Sequence, residues 1–217
     1  FTDSISDIQE SKIFIVTVPT PINEKKLPDL EPLIAATKSI SGILKKGDLV
    51  IFESTVFPGA TEDICGQLLE KESGLTLNQD FYLGYSPERI NPGDTKHSLD
   101  KIIKVVSGSN DKITKTIGKI YSKIIKAGIF YAKSIEVAET AKAIENAQRD
   151  INIAFVNEIS LLCQKLNISV YDVLETARTK WNFLPFQPGL VGGHCIGVDP
   201  YYLAYIAKKL GSSADVI

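Results

Sequence analysis

Short apolar runs alternate with amphipathic stretches between Lys12 and about Ala132, a pattern typical of strand–helix–strand units whose helices cover a parallel sheet. Five runs rich in β-branched or aromatic residues are predicted to form its strands: Ile13–Val16, Leu49–Phe52, Phe81–Leu83, Ile102–Val106 and Ile129–Tyr131. The pattern therefore predicts an α/β fold that contains the C-terminal part of a Rossmann-like, doubly wound parallel sheet.

Helical spacing fills the segments between these strands. Apolar residues three and four positions apart predict helices over residues 30–44, 61–72 and 111–126. Gly47 and Gly128 follow the first and third helix as stop signals, and Asp111 is the expected N-cap of the third. Each helix can thus carry the chain back to the next strand.

Beyond Ser134 the pattern changes to a long helical one. Apolar residues recur every three or four positions as far as Leu166, with no Gly or Pro between. At 1.5 Å per residue, a helix of roughly 30 residues would span about 45 Å. Shorter helices are predicted over Val170–Thr179 and from near Pro200. We expect a central all-helical region whose long helix links domains or builds a homodimer.

Composition excludes several classes of protein. The 217 residues carry 24 Lys and Arg against 26 Asp and Glu without long runs of one sign, which is unlike a nucleic-acid binder. No run approaches the roughly 18 apolar residues that a membrane span needs. The odd, unpatterned set Cys65, Cys163 and Cys195 indicates a reducing compartment, the cytoplasm, and with His97 and His194 it shows no metal-ligand spacing.

Polar residues follow three of the predicted strands. Thr17–Pro21, Ser54–Gly59 and Ser86–Gly93 lie where an open α/β sheet binds ligands, at the carboxyl ends of its strands. Glu88 and Arg89 could grip a phosphate or sugar together, or simply pair with each other. Hydroxyl-rich strand ends are also common turns, so placement at successive strand ends is the stronger signal.

Two further groups could carry chemistry. In the loop Gly192–Pro200, glycines leave room for a ligand beside the thiol of Cys195, although a buried free cysteine would show the same pattern. Lys142, Asn146 and Arg149 share one face of the long helix.

On an ordinary helix, a face with Lys142, Asn146 and Arg149 is more often a stripe of solvent-exposed polar side chains than a functional site. Ion pairs from Glu139 to Lys142 and from Glu145 to Arg149 would account for its charges. The G-x-G-x-x-G fingerprint of a dinucleotide site does not occur in the sequence.

Five motifs in order resemble the UDP-glucose/UDP-N-acetylhexosamine 6-dehydrogenase family, and they cover nearly the whole chain. They are Val16–Pro21, Glu53–Gly59, Tyr85–Gly93, Lys142 with Asn146, and Gly192–Pro200. The resemblance implies a partial NAD-binding Rossmann domain at 1–133, which lacks the first βαβ unit with its glycine fingerprint. It implies a central helical dimerisation and catalytic region at 134–217, without the C-terminal UDP-binding domain. We expect an internal fragment that is inactive alone.

The resemblance also implies a reaction. The C6 alcohol of a UDP-sugar is oxidised twice, with two NAD, through a thiohemiacetal and a thioester on Cys195. Lys142 stabilises the oxyanion and, with Asn146, orients water and the substrate oxygen, while Asp199 is the carboxylate near this water and the lysine. Glu88 acts as the base for thioester hydrolysis, with Thr55 ordering the attacking water. The residues expected to bind NAD are Thr17, Pro19, Thr20, Ser54 and Thr55. The residues expected to bind substrate are Arg89, Ile90, Lys142, Asn146, Arg149 and Gly192.

Within the family, the motifs look like bacterial enzymes that oxidise UDP-N-acetylglucosamine or UDP-N-acetylgalactosamine for capsule or O-antigen synthesis. The C4 epimer stays open, and the choice of NAD over NADP rests on resemblance. UDP-glucose and UDP-N-acetylmannosamine are alternative substrates. A hydroxyacid dehydrogenase of the phosphogluconate type, which needs no thiol, is a rival reading, and a non-catalytic nucleotide-sugar binding or dimerisation module is another.

Overall fold

The computed structural model describes residues 1–90, 93–94, 97–192 and 197–217. Its contacts divide the chain into two compact units, Phe1–Ala143 and Ile144–Ile217. The division falls inside the long helix, whereas the sequence placed a domain boundary after Lys133.

The first unit is built on a sheet of five strands in the order β1-β2-β3-β4-β5. The strands are β1 (Ile13–Val16), β2 (Leu49–Phe52), β3 (Tyr82–Tyr85), β4 (Lys104–Gly108) and β5 (Ile129–Tyr131). Neighbours β1/β2, β2/β3 and β4/β5 are parallel. The α/β fold class is confirmed.

One pair differs from the parallel sheet that the sequence predicted, because β4 runs antiparallel to β3. In the described residues between these strands, the only helix is the 3₁₀ turn Leu99–Lys101. Parallel neighbours need a long crossover, usually a helix, which returns the chain to the far edge of the sheet. Without one, β4 starts at the edge where β2 and β3 end, and this places Lys104 there.

Helices cover the sheet and fix its core. They are α1 (Glu31–Ser41), the π-helical turn Thr61–Gly66 that continues into α2 (Gln67–Ser73), and α3 (Asp111–Tyr121). On α3, Ile113, Ile117 and Tyr121 pack on Leu49, Ile51 and Val106 of the strands. The N-cap of α3 is Asn110, which accepts a hydrogen bond from the Ile113 backbone N–H at 3.0 Å, and not Asp111 as predicted. Capping by Asn110 leaves Asp111 as the first helical residue.

The long helix is confirmed as α4 (Ile135–Leu166), which runs through the division into the second unit. That unit also contains α5 (Val170–Ala177) and α6 (Asp199–Lys209). Ser169 caps α5 by accepting a hydrogen bond from Asp172 N. Among the described helices, none combines the length and apolar character that crossing a membrane requires.

Candidate active site

The loops that follow β1 and β2 lie side by side at the carboxyl edge of the sheet, because these strands are parallel with Val16 opposite Phe52. The Thr20 hydroxyl donates to the Thr55 carbonyl oxygen at 2.5 Å, and the Ser54 hydroxyl donates to the Val18 carbonyl oxygen at 2.6 Å. Thr17 and Pro19 are exposed. The structure thus brings together Thr17, Pro19, Thr20, Ser54 and Thr55, the residues predicted to bind a cofactor.

The end of the second loop is held by Glu139 of α4. Its carboxylate accepts hydrogen bonds from Gly59 N at 2.6 Å and from Thr61 N at 2.9 Å. Gly59 has φ of +90°, a conformation that favours glycine. Glu139 is fully buried, and desolvation raises the pKa of its carboxyl above the ordinary value. Glu139 therefore joins α4 to the Ser54–Gly59 loop.

The interpretation of the polar face of α4 as a solvated stripe is wrong for three of its residues, which are buried. Lys142 is 7% exposed, Asn146 is 4% exposed and Glu139 is fully buried. They alternate along the helix with buried small or apolar residues: Ile135, Ala138, Ala143 and Ala147. A polar stripe at buried positions is costly for folding, which points to a functional reason for it.

In the second unit, two predicted site residues form a direct pair. Asn146 Nδ2 donates to Asp199 Oδ2 at 2.5 Å, and Asp199 is only 2% exposed. Asp199 is the first residue of α6, where a carboxylate interacts favourably with the helix dipole. The pair fixes the Asn146 amide, so that its Nδ2 is a donor to Asp199 and its Oδ1 is an acceptor.

Glu88 follows β3 and is anchored by its own backbone neighbours. Its Oε1 accepts from Arg89 N and from Ile90 N, both at 2.7 Å. The Glu88 side chain is 45% exposed, so its carboxylate is accessible to water. The Arg89 Nη1 donates to the Ile103 carbonyl oxygen at 3.1 Å, and Ile90 is exposed.

A buried charged cluster that the sequence reading missed lies next to Glu88. It consists of Glu53 after β2, Lys104 at the start of β4 and Tyr121 at the end of α3. Lys104 Nζ lies 3.3 Å from Glu53 Oε1, and the Tyr121 hydroxyl donates to the same carboxylate oxygen. Burial, and then the Glu53 carboxylate, raise the pKa of Tyr121 well above its ordinary range. The sequence feature that could have revealed this cluster is Lys104, a charged residue inside a run that was predicted to be a buried strand.

The remaining candidates are less informative in the structure. Arg149 is half-buried and Gly192 is exposed. Cys195, the predicted nucleophile, lies outside the described residues. Both described cysteines are buried free thiols, and burial raises the pKa of Cys65 to about 12, so Cys65 stays a neutral thiol near pH 7.

Comparison with known proteins supports the assignment of both parts of the chain. Residues 1–125 match the NAD binding domain of the UDP-glucose/GDP-mannose dehydrogenase family, and residues 136–217 match its central domain. The predicted cofactor, NAD, agrees with the first of these matches.

Individual relatives agree with the domain matches. The chain is 56% identical over 217 residues to a UDP-N-acetyl-D-glucosamine 6-dehydrogenase of Pseudomonas aeruginosa, of which it covers 51%. It is 49% identical to Protein CapL of Staphylococcus aureus over its whole length, again covering 51% of that protein. The chain thus spans about half the length of the curated relatives it matches.

A solved structure shows the same fold. The UDP-D-ManNAc dehydrogenase of Pyrococcus horikoshii superposes with a TM-score of 0.89 at 38% identity, over 95% of this chain and 49% of that one. The two domain matches and the similarity of the fold lead to one conclusion. The chain belongs to the UDP-glucose/GDP-mannose dehydrogenase family.

Proposed function

We propose that the whole protein to which this chain belongs oxidises the C6 alcohol of a UDP-N-acetylhexosamine to a carboxylate, in two NAD-dependent steps. The observation that carries the proposal is the buried polar stripe of α4, in which Lys142 lies one turn before the Asn146–Asp199 pair. Burying polar side chains in fixed orientations costs free energy of folding. Oxidation at C6 requires such groups, because they stabilise the charge that develops in the transition state and orient the attacking water.

The carboxyl edge of the first unit suits a dinucleotide. Thr17 and Pro19 are exposed there, and the hydroxyl protons of Thr20 and Ser54 are committed to backbone carbonyls. The oxygen of the half-buried Thr20 can therefore accept a hydrogen bond from a ribose hydroxyl, while the buried Ser54 keeps the two loops joined. Two NAD molecules, bound one after the other, would each accept one hydride.

In the proposed chemistry, Cys195 acts as the nucleophile. Its thiolate adds to the C6 aldehyde to form an S–C6 bond and a thiohemiacetal, which is oxidised to a thioester. Lys142 stabilises the negative charge on the C6 oxygen during this addition. Since Lys142 is almost fully buried, its ammonium acts in a medium of low polarity, where such stabilisation is strongest.

Hydrolysis of the thioester completes the reaction. Glu88 removes a proton from the attacking water, the S–C6 bond breaks, and the cysteine and the sugar carboxylate are released. Glu88 Oε1 is occupied by two backbone N–H groups, so Oε2 is the oxygen that takes this proton. Asn146, fixed by Asp199, orients water or the substrate oxygen through Oδ1, and Thr55 orders the water from the neighbouring loop.

The proposed substrate is UDP-N-acetylglucosamine, with UDP-N-acetylgalactosamine as the second candidate. The 56% identical relative carries the first name, which favours it. Arg89, Ile90, Arg149 and Gly192 are the proposed contacts to the nucleotide sugar. We place the reaction in the cytoplasm and assign its product to capsule or O-antigen synthesis, as the sequence resemblance implies.

We also propose that α4 forms a homodimer. Its apolar residues Ile144, Phe155, Leu161, Leu162 and Leu166 are each more than half exposed. A row of exposed large apolar side chains on one helix is typical of an interface. A second copy of the same helix offers the matching surface.

The test is NADH formation by the full-length protein with four substrates: the UDP forms of N-acetylglucosamine, N-acetylgalactosamine, N-acetylmannosamine and glucose. The proposal predicts the highest kcat/KM for one of the first two. It also predicts that Cys195→Ser stops carboxylate formation. If Cys195→Ser kept full activity, the hydroxyacid dehydrogenase reading would replace the proposal.

A further inference from the structure

Lys104 is a buried lysine whose position calls for an explanation. It is 5% exposed, although a strand at this place would be filled well by an apolar side chain. Because β4 runs antiparallel to β3, its first residue lies at the edge where β2 and β3 end. This is the same edge that carries Glu88 and the two strand-end loops.

The contacts of Lys104 converge on the segment before Glu88. Its Nζ donates to the Pro87 carbonyl oxygen at 3.3 Å and lies 4.0 Å from Glu88 Oε2. The neighbouring Ser86 hydroxyl donates to the Val105 carbonyl oxygen at 2.8 Å. The backbone on the N-terminal side of Glu88 is therefore attached to β4 at successive positions.

Glu53 and Tyr121 hold the ammonium in place. Lys104 Nζ pairs with Glu53 Oε1 at 3.3 Å and lies 5.1 Å from the centroid of the Tyr121 ring. The Tyr121 hydroxyl donates to Glu53, which limits how that carboxylate can turn. A buried charge with a counter-charge, a carbonyl and an aromatic face around it has little freedom to move.

We propose that Lys104 is a positioning residue for thioester hydrolysis: together with Glu53 and Tyr121 it holds Glu88 so that Oε2 faces the attacking water. The inference rests on the proposed function, in which Glu88 is the base. The Lys104 ammonium lies 4.0 Å from Glu88 Oε2, and its charge attracts this oxygen and so restricts the directions in which the carboxylate can point. At this distance Lys104 supports the carboxylate without occupying Oε2.

The experiment compares Lys104→Met and Lys104→Arg in the full-length protein, with Lys101→Met as the matched control. Lys101 is exposed and lies three residues earlier on the same connection. Rapid mixing with substrate and NAD measures the NADH formed in the first turnover, and mass spectrometry of quenched samples measures the sugar thioester on Cys195.

If Lys104 positions Glu88, Lys104→Met keeps the first-turnover NADH but lowers steady-state kcat by about 10- to 100-fold, the scale of general-base effects. The thioester then accumulates, while kcat/KM for NAD is unchanged because hydrolysis follows both hydride transfers. Lys104→Arg restores part of the rate because its charge remains, and Lys101→Met behaves as the unsubstituted protein.

A merely structural lysine gives a different result. The first-turnover NADH and kcat then fall together and no thioester accumulates, which overturns the inference. If Lys104→Met does not fold, Glu53→Gln tests the same inference, because this change keeps the shape of the side chain and removes the negative charge that pairs with Lys104. The ammonium is then drawn to Glu88 Oε2, and thioester accumulation is again expected; its absence overturns the inference.

Failure of the proposed function is recognised separately. If the unsubstituted protein forms one NADH per sugar, there is no thioester step, and the proposed function and this inference both fall. If it forms two NADH per sugar but Lys104→Met accumulates no thioester, only the role of Lys104 is overturned.

Discussion

The two ends of α4 use side chains in opposite ways. Near its start the helix buries charged and amide groups, Glu139, Lys142 and Asn146, whereas further along it exposes Phe155, Leu161 and Leu166. Stability alone would favour the reverse distribution. The buried polar groups are the basis of the proposed catalytic site, and the exposed apolar groups are the basis of the proposed dimer interface.

The largest expected effect is at Lys142. Lys142→Ala removes the charge proposed to stabilise the C6 oxyanion, and kcat should fall by about 100- to 1,000-fold, as on loss of one oxyanion donor. The matched control is Lys165→Ala, at the exposed far end of the same helix. Steady-state NADH formation measures both variants. Equal activity of the two would contradict the functional reading of the buried stripe.

The next effect is at the buried Asn146–Asp199 pair. Asn146→Leu leaves the Asp199 carboxylate buried without this donor, so the free energy of unfolding should fall by about 1–3 kcal/mol. Asn152→Leu is the control, because this half-buried amide donates to the Gln148 carbonyl oxygen of its own helix, and it should change the free energy of unfolding by less than the change at Asn146. Urea unfolding followed by circular dichroism measures both. Similar losses in the two variants would show that the pair has no special role.

A smaller, pH-dependent effect is expected at Glu139. Burial raises the pKa of its carboxyl above 4.5 in the folded state, so between that value and the raised pKa the folded protein binds more protons than the unfolded chain. Its contribution to stability is therefore fully present at low pH and declines as pH rises through this window.

The measurement compares the unsubstituted protein with Glu139→Gln, which cannot titrate. The urea midpoint of the unsubstituted protein, relative to that of Glu139→Gln, should decrease from about pH 4.5 toward neutral pH. Glu136→Gln, at an exposed position three residues before Glu139 on the same helix, is the matched control. A difference between the two urea midpoints that is constant or increases with pH would contradict a raised pKa for Glu139.

The smallest effect on folding is expected at the exposed apolar residues. Leu161→Ser and Leu162→Ser together should change the free energy of unfolding of a protomer by less than about 1 kcal/mol, because both are already more than half exposed. The same change should lower the mass measured by light scattering from a dimer toward a monomer. An unchanged mass would place any dimer interface elsewhere.

The sequence predicted the elements better than their assembly. The bounds of β1, β2 and β5 and the existence of α4 agree with the prediction, because apolar runs and helical spacing are local signals. The direction of β4 could not be predicted in the same way, since a buried strand reads alike in either direction. It depends on the connection that precedes it.

Prediction of the site from the sequence has the same limit: contacts between distant elements are not visible in local patterns. Glu139 was read as a surface partner of Lys142 because their spacing fits an ion pair, and only burial reveals its bonds to Gly59 and Thr61. Lys104 and Tyr121 were missed because they meet Glu53 from different elements. The resemblance supplied Asn146 and Asp199 as site residues, but their direct pairing comes from the structure.

The most direct test of the central claim is the number of NADH formed per UDP-N-acetylglucosamine consumed by the full-length protein at completion. Two NADH per sugar, with a UDP-sugar carboxylate as product, is the result that twofold oxidation through a cysteine thioester predicts. One NADH per sugar, with an aldehyde or ketone as product, would contradict it.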